Sequence, residues 1–243
     1  MTGYAARVLG VNLGRVARLE GRRKSVPSAI FKAPAPGAVW LRREGFAGDE
    51  QADRKNHGGP EKAALVYPTE HYVRWRRMLG REIGLAAFGE NLSTRGVTEE
   101  DVHLGDVCRL GGAVVQVSQP RRPCYKPAWR HGVRNIALLT QQSGMTGFYL
   151  RVLEEGEVRA GDALLLLDRP PGTVSVEEAN RVMHRDRDDA EGIENLLSCR
   201  WVPTSWRRDL RRRLAGMEED AARRGSKGPS EPGPCQPGTA ASE

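Results

Sequence analysis

The sequence predicts a mainly β chain, a barrel or sandwich with a few helices, followed by a small all-α unit of three helices. Three observations carry this reading. Short apolar stretches recur through the first two thirds, each closed by Gly or Pro; that is the punctuation of strands joined by turns rather than of alternating strands and crossover helices. After Pro170-Pro171-Gly172 the texture changes to helical spacing. The 243 residues, 39% hydrophobic and 28% charged, suffice for one medium domain and a smaller one with an ordinary core.

In chain order, strands are predicted over Ala6 to Asn12, Ser28 to Lys32, Val39 to Arg42, Ala63 to Tyr67, Val107 to Leu110, Ala113 to Ser118, Phe148 to Leu153 and Ala163 to Asp168. Two helices interrupt them. Thr69 to Leu79 follows Pro68, and Thr69, Tyr72, Trp75 and Arg76 fall at helical spacing. Asn135 to Gln142 is the shorter one. Ser175, three residues before Glu178, has the spacing of a capping box. Helices then run over Val176 to His184, Asp189 to Ser198 and Thr204 to Leu214, closing on Val182, Ile193, Leu196, Leu197, Trp201, Trp206, Leu210 and Leu214. A unit of this size is marginal alone, so it is expected to dock on the barrel. From Gly225 onward Gly, Pro and Ser dominate, as in a disordered tail. The domain plan is therefore a β domain over 1–170, a helical domain over 171–222 and a tail over 223–243.

No stretch reaches the apolar length of a membrane span, and the first residues lack the apolar core of a signal peptide, so a cytoplasmic protein is expected. The four cysteines, Cys108, Cys124, Cys199 and Cys235, form no CxxC pair; neither a disulfide framework nor a structural zinc site is expected. A formal charge of +7 suits an anionic partner.

Four segments are too rich in specific polar groups to pass unremarked. Arg22 to Lys32 brings Lys24, Ser28 and Lys32 to one strand, either to reach a phosphate or as a solvated face. Gly48 to Lys62 contains Asp49, His57, the pair Gly58-Gly59 and Lys62. Consecutive glycines let backbone N–H groups approach an anion; the plainer alternative is a solvated loop. Phe88 to Thr94 offers Glu90 and Asn91, as ligand contacts or as caps at the start of a strand. Gln116 to Lys126 ends a strand at Ser118 and then, through Pro120 and Pro123, delivers Cys124 among Arg121, Arg122 and Lys126. Cationic neighbours favour thiolate, the form that acts as nucleophile and soft metal ligand. Cys108 sits in an apolar strand and reads as core, Cys199 as packing between helices, and Cys235 as part of the tail.

The strings G-D-x-Q-A-D-x-x-x-H-G-G-x-x-K-A, F-G-E-N-L-S-T and V-S-Q-P-R-x-P-C-Y-K together resemble the MOSC family, nearest its YiiM-like branch, across about residues 4 to 220. The resemblance implies a strongly bent MOSC-type β-barrel with a cleft for the molybdenum cofactor, followed by a three-helix domain. It implies that Cys124 ligates molybdenum or carries sulfur. Lys24, Ser28, Gly58, Gly59, Lys62, Asn91, Ser118 and Arg121 become cofactor contacts, with His57 or Asp49 supplying protons through water. Arginine and lysine suit the phosphate of molybdopterin. The activity implied is reduction of N-hydroxylated compounds: hydroxylaminopurine-type bases, hydroxylamines and amidoximes.

No flavin or haem motif is visible, so electrons are expected from a separate reductase. The chain is expected as a monomer or homodimer, with no membrane or stable nucleic-acid partner. Two rivals stand beside this. In one, Cys124 bears a persulfide and no metal stays bound. In the other, the basic helix with Arg207, Arg208, Arg211, Arg212 and Arg213 binds nucleic acid; no aromatic platform for single strands accompanies it.

Overall fold

The structure, a computed structural model, describes residues 3–21 and 24–226. Its elements in chain order are β1 (Ala5–Leu13), β2 (Ala17–Glu20), β3 (Ser25–Ser28), β4 (Ala33–Pro34), β5 (Val39–Arg42), β6 (Gly45–Phe46), α1 (Arg54–His57), β7 (Ala64–Pro68), α2 (Glu70–Leu79), β8 (Leu92–Arg95), β9 (Val107–Leu110) and β10 (Ala113–Pro120). They continue with α3 (Lys126–His131), α4 (Ile136–Ser143), β11 (Phe148–Glu154), β12 (Gly156–Val158), β13 (Ala163–Asp168), α5 (Val176–Asn180), α6 (Ala190–Ser198) and α7 (Thr204–Ser226).

Seven strands close a barrel in the order β13-β9-β10-β11-β7-β8-β1, with β1 returning to β13. Only β7 and β8 pair in parallel; the other barrel pairs are antiparallel. Bulges in β1, β10 and β13 shift the register and bend the wall. Closure removes the open edges that short strands would otherwise expose. The strands at 39–42, 107–110 and 163–168 lie where the sequence puts them. The strand predicted over Ser28 to Lys32 does not form: β3 ends at Ser28, and the Ile30 carbonyl accepts from the Arg130 side chain instead of a ladder partner.

One core runs from the barrel into the helical unit. Val8, Leu92, Val115, Val117 and Leu150 belong to the same buried cluster as Val182, Ile193, Leu196, Cys199, Trp206 and Leu210. The helices therefore dock on the barrel as their size requires. Ser175 caps α5, its Oγ accepting from the Glu178 amide at 3.0 Å. The reciprocal half of the expected box is replaced, because the Glu178 carboxylate takes two hydrogen bonds from Arg181 at 2.7 Å each. The last turn of the first predicted C-terminal helix is a π-helical segment, Arg181–Arg185. α7 continues past Leu214 to Ser226, so residues 223–226 are helical and not tail, as the Ala-, Glu- and Arg-rich composition favours. The rest of the predicted tail, Cys235 included, lies outside the described residues.

A second apolar cluster packs α2, α3 and α4 against the barrel end. It contains Tyr67, Tyr72, Trp75, Phe88, Ala128, Ile136 and Met145. Phe88 stacks on Tyr67 at 4.7 Å, and the Trp75 indole donates to the Tyr67 hydroxyl at 2.6 Å. α3, which the strand-based reading passes over, starts with Pro127 in its first turn and ends at Gly132 in the left-handed conformation. α3 begins at Lys126, one of the residues lining the cleft described next.

Candidate active site

A cleft of about 590 Å³, open mouth included, gathers residues from distant parts of the chain. Ser28, Ile30 and Lys32 come from the segment after β3, Asp49 to Asp53 from the loop after β6, and His57 from α1. Lys62 and Asn91 flank β7 and β8, and Arg121, Cys124 and Lys126 follow β10. Of the residues expected at a site, Cys124, His57, Asp49, Ser28, Lys62, Asn91 and Arg121 meet here.

Cys124 is the half-buried cysteine among the described residues; Cys108 and Cys199 are buried. Burial pushes the Cys108 thiol up to about 12, and its sulfur lies 3.2 Å from the Tyr4 hydroxyl. Cys124 is thus more accessible than Cys108 and Cys199, and Cys108 is a core residue.

Asp49 is tied down. Its carboxylate pairs with Lys32, accepts from the Gly14 amide at 2.8 Å and accepts from Asn91 Nδ2 at 2.9 Å. The Asp49 and Lys32 side chains are only 4% and 7% exposed. Asp49, expected as a proton donor, thus lines the cleft with three donors fixed on its carboxylate, an arrangement that also positions its neighbours. Burial lowers the pKa of Lys32, and Asp49 opposes that shift. Asn91 is likewise spent on protein. Its Oδ1 accepts from the Leu65 amide at 3.2 Å while Nδ2 also reaches the Asn12 carbonyl at 3.3 Å.

His57 sits in a positive field. Burial first, then Lys126, Arg121 and Lys62, hold its imidazole down to about 4, with Asp53 opposing. The ring is therefore neutral at pH 7 and able to donate from one nitrogen and accept at the other. The Lys62 ammonium lies 6.0 Å above the Tyr149 ring, its pKa lowered mainly by burial. Arg121 is 8% exposed and uses one Nη on the Phe88 carbonyl at 2.9 Å. Its fork spans this cleft and a smaller apolar pocket formed by Tyr67, Phe88, Ile136 and Met145, with Cys124 on the rim of both.

Four expected contacts do not line the cleft. Ser118 Oγ lies 2.6 Å from the Glu61 carbonyl and 3.1 Å from that of Tyr149, pinning the turn at Pro60–Lys62 to the barrel. Gly58 is a packing glycine, since a Cβ there would meet Gln51 Oε1 at 2.1 Å. Gly59, at φ +85°, gives its amide to the same Gln51 oxygen at 3.4 Å rather than to a ligand. Lys24 is an exposed residue of the β2–β3 hairpin. Lys32, read from the sequence as reaching a phosphate or as part of a solvated face, also lines the cleft, and Gln51, Phe88, Lys126 and Tyr149 do so without having been singled out as contacts. Lys126 carried a signal, being two residues from Cys124 within the same motif; Phe88 and Tyr149 carried none beyond apolarity.

The donor set fits a cofactor that brings most of its own metal ligands. Among the described residues no group of three or more His, Cys, Asp or Glu side chains is arranged to hold a metal ion. One thiol stands beside Arg121, Lys62 and Lys126, a set suited to a soft metal and an anionic handle.

Comparison with known proteins agrees with the architecture. Residues 53–165 match the MOSC domain and residues 174–216 the YiiM-like 3-alpha helix domain. The chain is 52% identical to the uncharacterized protein YflK of Bacillus subtilis over 82% of this chain and 90% of that one. It is 41% identical to the protein YiiM of Escherichia coli over 85% and 94% of the two chains. A Gibberella moniliformis protein named Reductase is 37% identical over 81% of this chain but only 35% of its own length. The crystal structure of YiiM from Geobacillus stearothermophilus superposes with a TM-score of 0.72 at 34% identity, covering 86% of this chain and 99% of that one. The barrel, the helical unit behind it and the motifs that meet at Cys124 together make this chain a member of the MOSC family, of the kind that carries a YiiM-like three-helix domain.

Proposed function

We propose that the protein binds the molybdenum cofactor in the cleft at Cys124 and reduces N-hydroxylated compounds there, with electrons from a separate reductase. The observation that carries this is the position of Cys124, a half-buried thiol on the rim of a cleft that also holds Lys62, Arg121 and Lys126. MOSC domains are associated with molybdenum cofactor binding in general, and residues 53–165 are such a domain. The relative named Reductase extends far beyond the matched region, which accords with a division of labour in which other polypeptide delivers electrons.

Cys124 would provide the protein's thiolate to the metal, while Arg121, Lys62 and Lys126 would hold the anionic end of the cofactor. When bound, the cofactor supplies a metal able to accept oxygen and exchange two electrons. The overall change is balanced as hydroxylamine plus two protons and two electrons giving amine plus water. The two protons come from solvent. His57, neutral above about pH 4, can orient a substrate N–H or O–H, accepting a proton at one ring nitrogen as the other nitrogen releases its own to solvent. Asp49 holds Lys32 and Asn91 in place beside the cleft. The buried aromatic pair Phe88 and Tyr67 forms an apolar wall on one side of Cys124.

The test pairs metal analysis with turnover. Protein produced in a cofactor-competent host is expected to contain molybdenum and pterin, and to reduce a hydroxylaminopurine when given a reductase. Cys124→Ser should lose that activity with an unchanged melting temperature, since a hard alcohol is a poor substitute for thiolate. Absence of molybdenum, together with mass spectra of Cys124 bearing an extra sulfur atom, would replace this reading with sulfur transfer.

A further inference from the structure

A second cationic cleft lies behind the cysteine loop, between that loop and the C-terminal helices. It is an open hollow of about 800 Å³ walled by Arg122, His184, Arg187, Asp209, Arg212 and Arg213 among others. Four guanidinium groups face one carboxylate. Arg122 and Arg212 both lean on that carboxylate, at 2.8 and 3.4 Å, so it serves two cations at once. Arg213 is fixed by the Val182 carbonyl and the Met183 sulfur, at 3.2 and 2.9 Å, and Asp188 also opposes its shift. Arg187 and Arg212 reach in from exposed positions.

His184 marks the excess of charge. Its Nε2 is buried without a hydrogen-bond partner, and its ring lies edge-on to Trp206 at 6.0 Å. Burial, and then Arg122, Arg213, Arg187 and Arg185, hold its pKa down to about 4. The ring lines the hollow, and an anion held among the arginines would favour its protonation. Convergent planar forks with a net positive excess match a tetrahedral dianion, which can accept bidentate bonds from more than one guanidinium.

We propose that this cleft, between Arg122 of the cysteine loop and Arg187, Arg212 and Arg213 of the helical unit, binds the phosphate group of a small molecule. It is separate from the site at Cys124 and stands whether or not that site holds a metal. It is also close to that site. Arg122 and Cys124 are two residues apart, so their Cα atoms are within about 7 Å. Pro123 lines both this cleft and the apolar pocket at Cys124.

The experiment follows the His184 imidazole by NMR, assigned with His184→Gln, during titration with inorganic phosphate, adenosine and adenosine monophosphate at low salt. Phosphate is expected to shift the His184 resonances and raise its pKa at millimolar concentration, while adenosine does neither. Stronger binding of the nucleotide than of phosphate assigns the group to a nucleotide; equal binding assigns it to free phosphate. The double variant Arg187→Gln/Arg212→Gln, both exposed positions, should weaken binding on the order of tenfold or more with an unchanged melting temperature. Lys62→Gln, in the other cleft, should leave the His184 response intact. The proposal is overturned if His184 does not respond to phosphate, if the double variant binds like the parent, or if Lys62→Gln abolishes the response.

Discussion

Replacing Asp49 by alanine tests whether the site is held by a buried ion pair. The carboxylate is 4% exposed and its partner Lys32 7% exposed, so the variant leaves an ammonium in the protein interior with no counter-charge. Removing one member of a buried pair typically costs about 3–5 kcal/mol. The Gly14 amide and Asn91 Nδ2 lose their acceptor as well, which puts the expectation at the upper end of that range. For a chain of this length the loss corresponds to a fall in melting temperature on the order of 10 °C.

The pH dependence has a definite sign. Burial already lowers the Lys32 pKa from 10.5, and Asp49 is the main group opposing that shift. Without Asp49 the folded-state pKa falls further, so between it and 10.5 the unfolded chain binds the extra proton. Stability of the variant must therefore rise with pH across that window, and the gap to the parent should narrow from pH 7 to about pH 9.5. Urea unfolding at both pH values measures this. Lys32→Met in the Asp49→Ala background should recover part of the loss by removing the stranded charge. A cost below about 1 kcal/mol for Asp49→Ala at pH 7, or a gap that widens with pH, would refute the buried-pair reasoning.

Other expectations follow from single observations. The folded pKa values of His57 and His184, about 4 in each case, lie below the ordinary 6.5, so unfolding takes up protons between those limits. The protein should lose stability as pH falls from about 6.5 to about 4, and His184→Gln should reduce that slope by up to one proton in a denaturation series across this range. Gly58→Ala should destabilise by about 1–3 kcal/mol, because the new methyl meets Gln51 Oε1. Combining it with Gln51→Ala should return part of that loss, and equal melting temperatures for Gly58→Ala and parent would show that the loop simply moves aside.

Much of the barrel was legible because its strands announce themselves one by one. Val39–Arg42, Val107–Leu110 and Ala163–Asp168 are short apolar runs between turn residues, and they form the strands expected. β8 was legible only in part. Glu90 and Asn91 read equally as ligand contacts and as caps at the start of a strand, and because Leu92, Ser93 and Thr94 are all buried, no polar–apolar alternation marks the strand lying parallel to β7. The same ambiguity explains the site. Polar side chains gathered in a motif signal a buried network and a ligand site equally, and only the fold says which. Asp49 and Asn91 lie far apart in sequence yet spend their polar atoms on each other and on the backbones of β1 and β7. Ser118 and the glycine pair hold turns.

The motif residues that line the cleft beside that network are Cys124, His57, Lys62, Arg121 and Lys126. This division has a physical cause. A site that must hold an anionic group against water needs its cations kept extended, and flexible side chains stay extended only when the backbone beneath them is immobile. The buried Asp49–Lys32–Asn91 group ties together the loop after β6, the segment after β3 and the start of β8. Those are the segments from which His57, Ser28 and Phe88 project into the cleft. Polar residues that a sequence reader assigns to a ligand are thus needed in the motif for a different reason: they fix the frame on which the remaining few act.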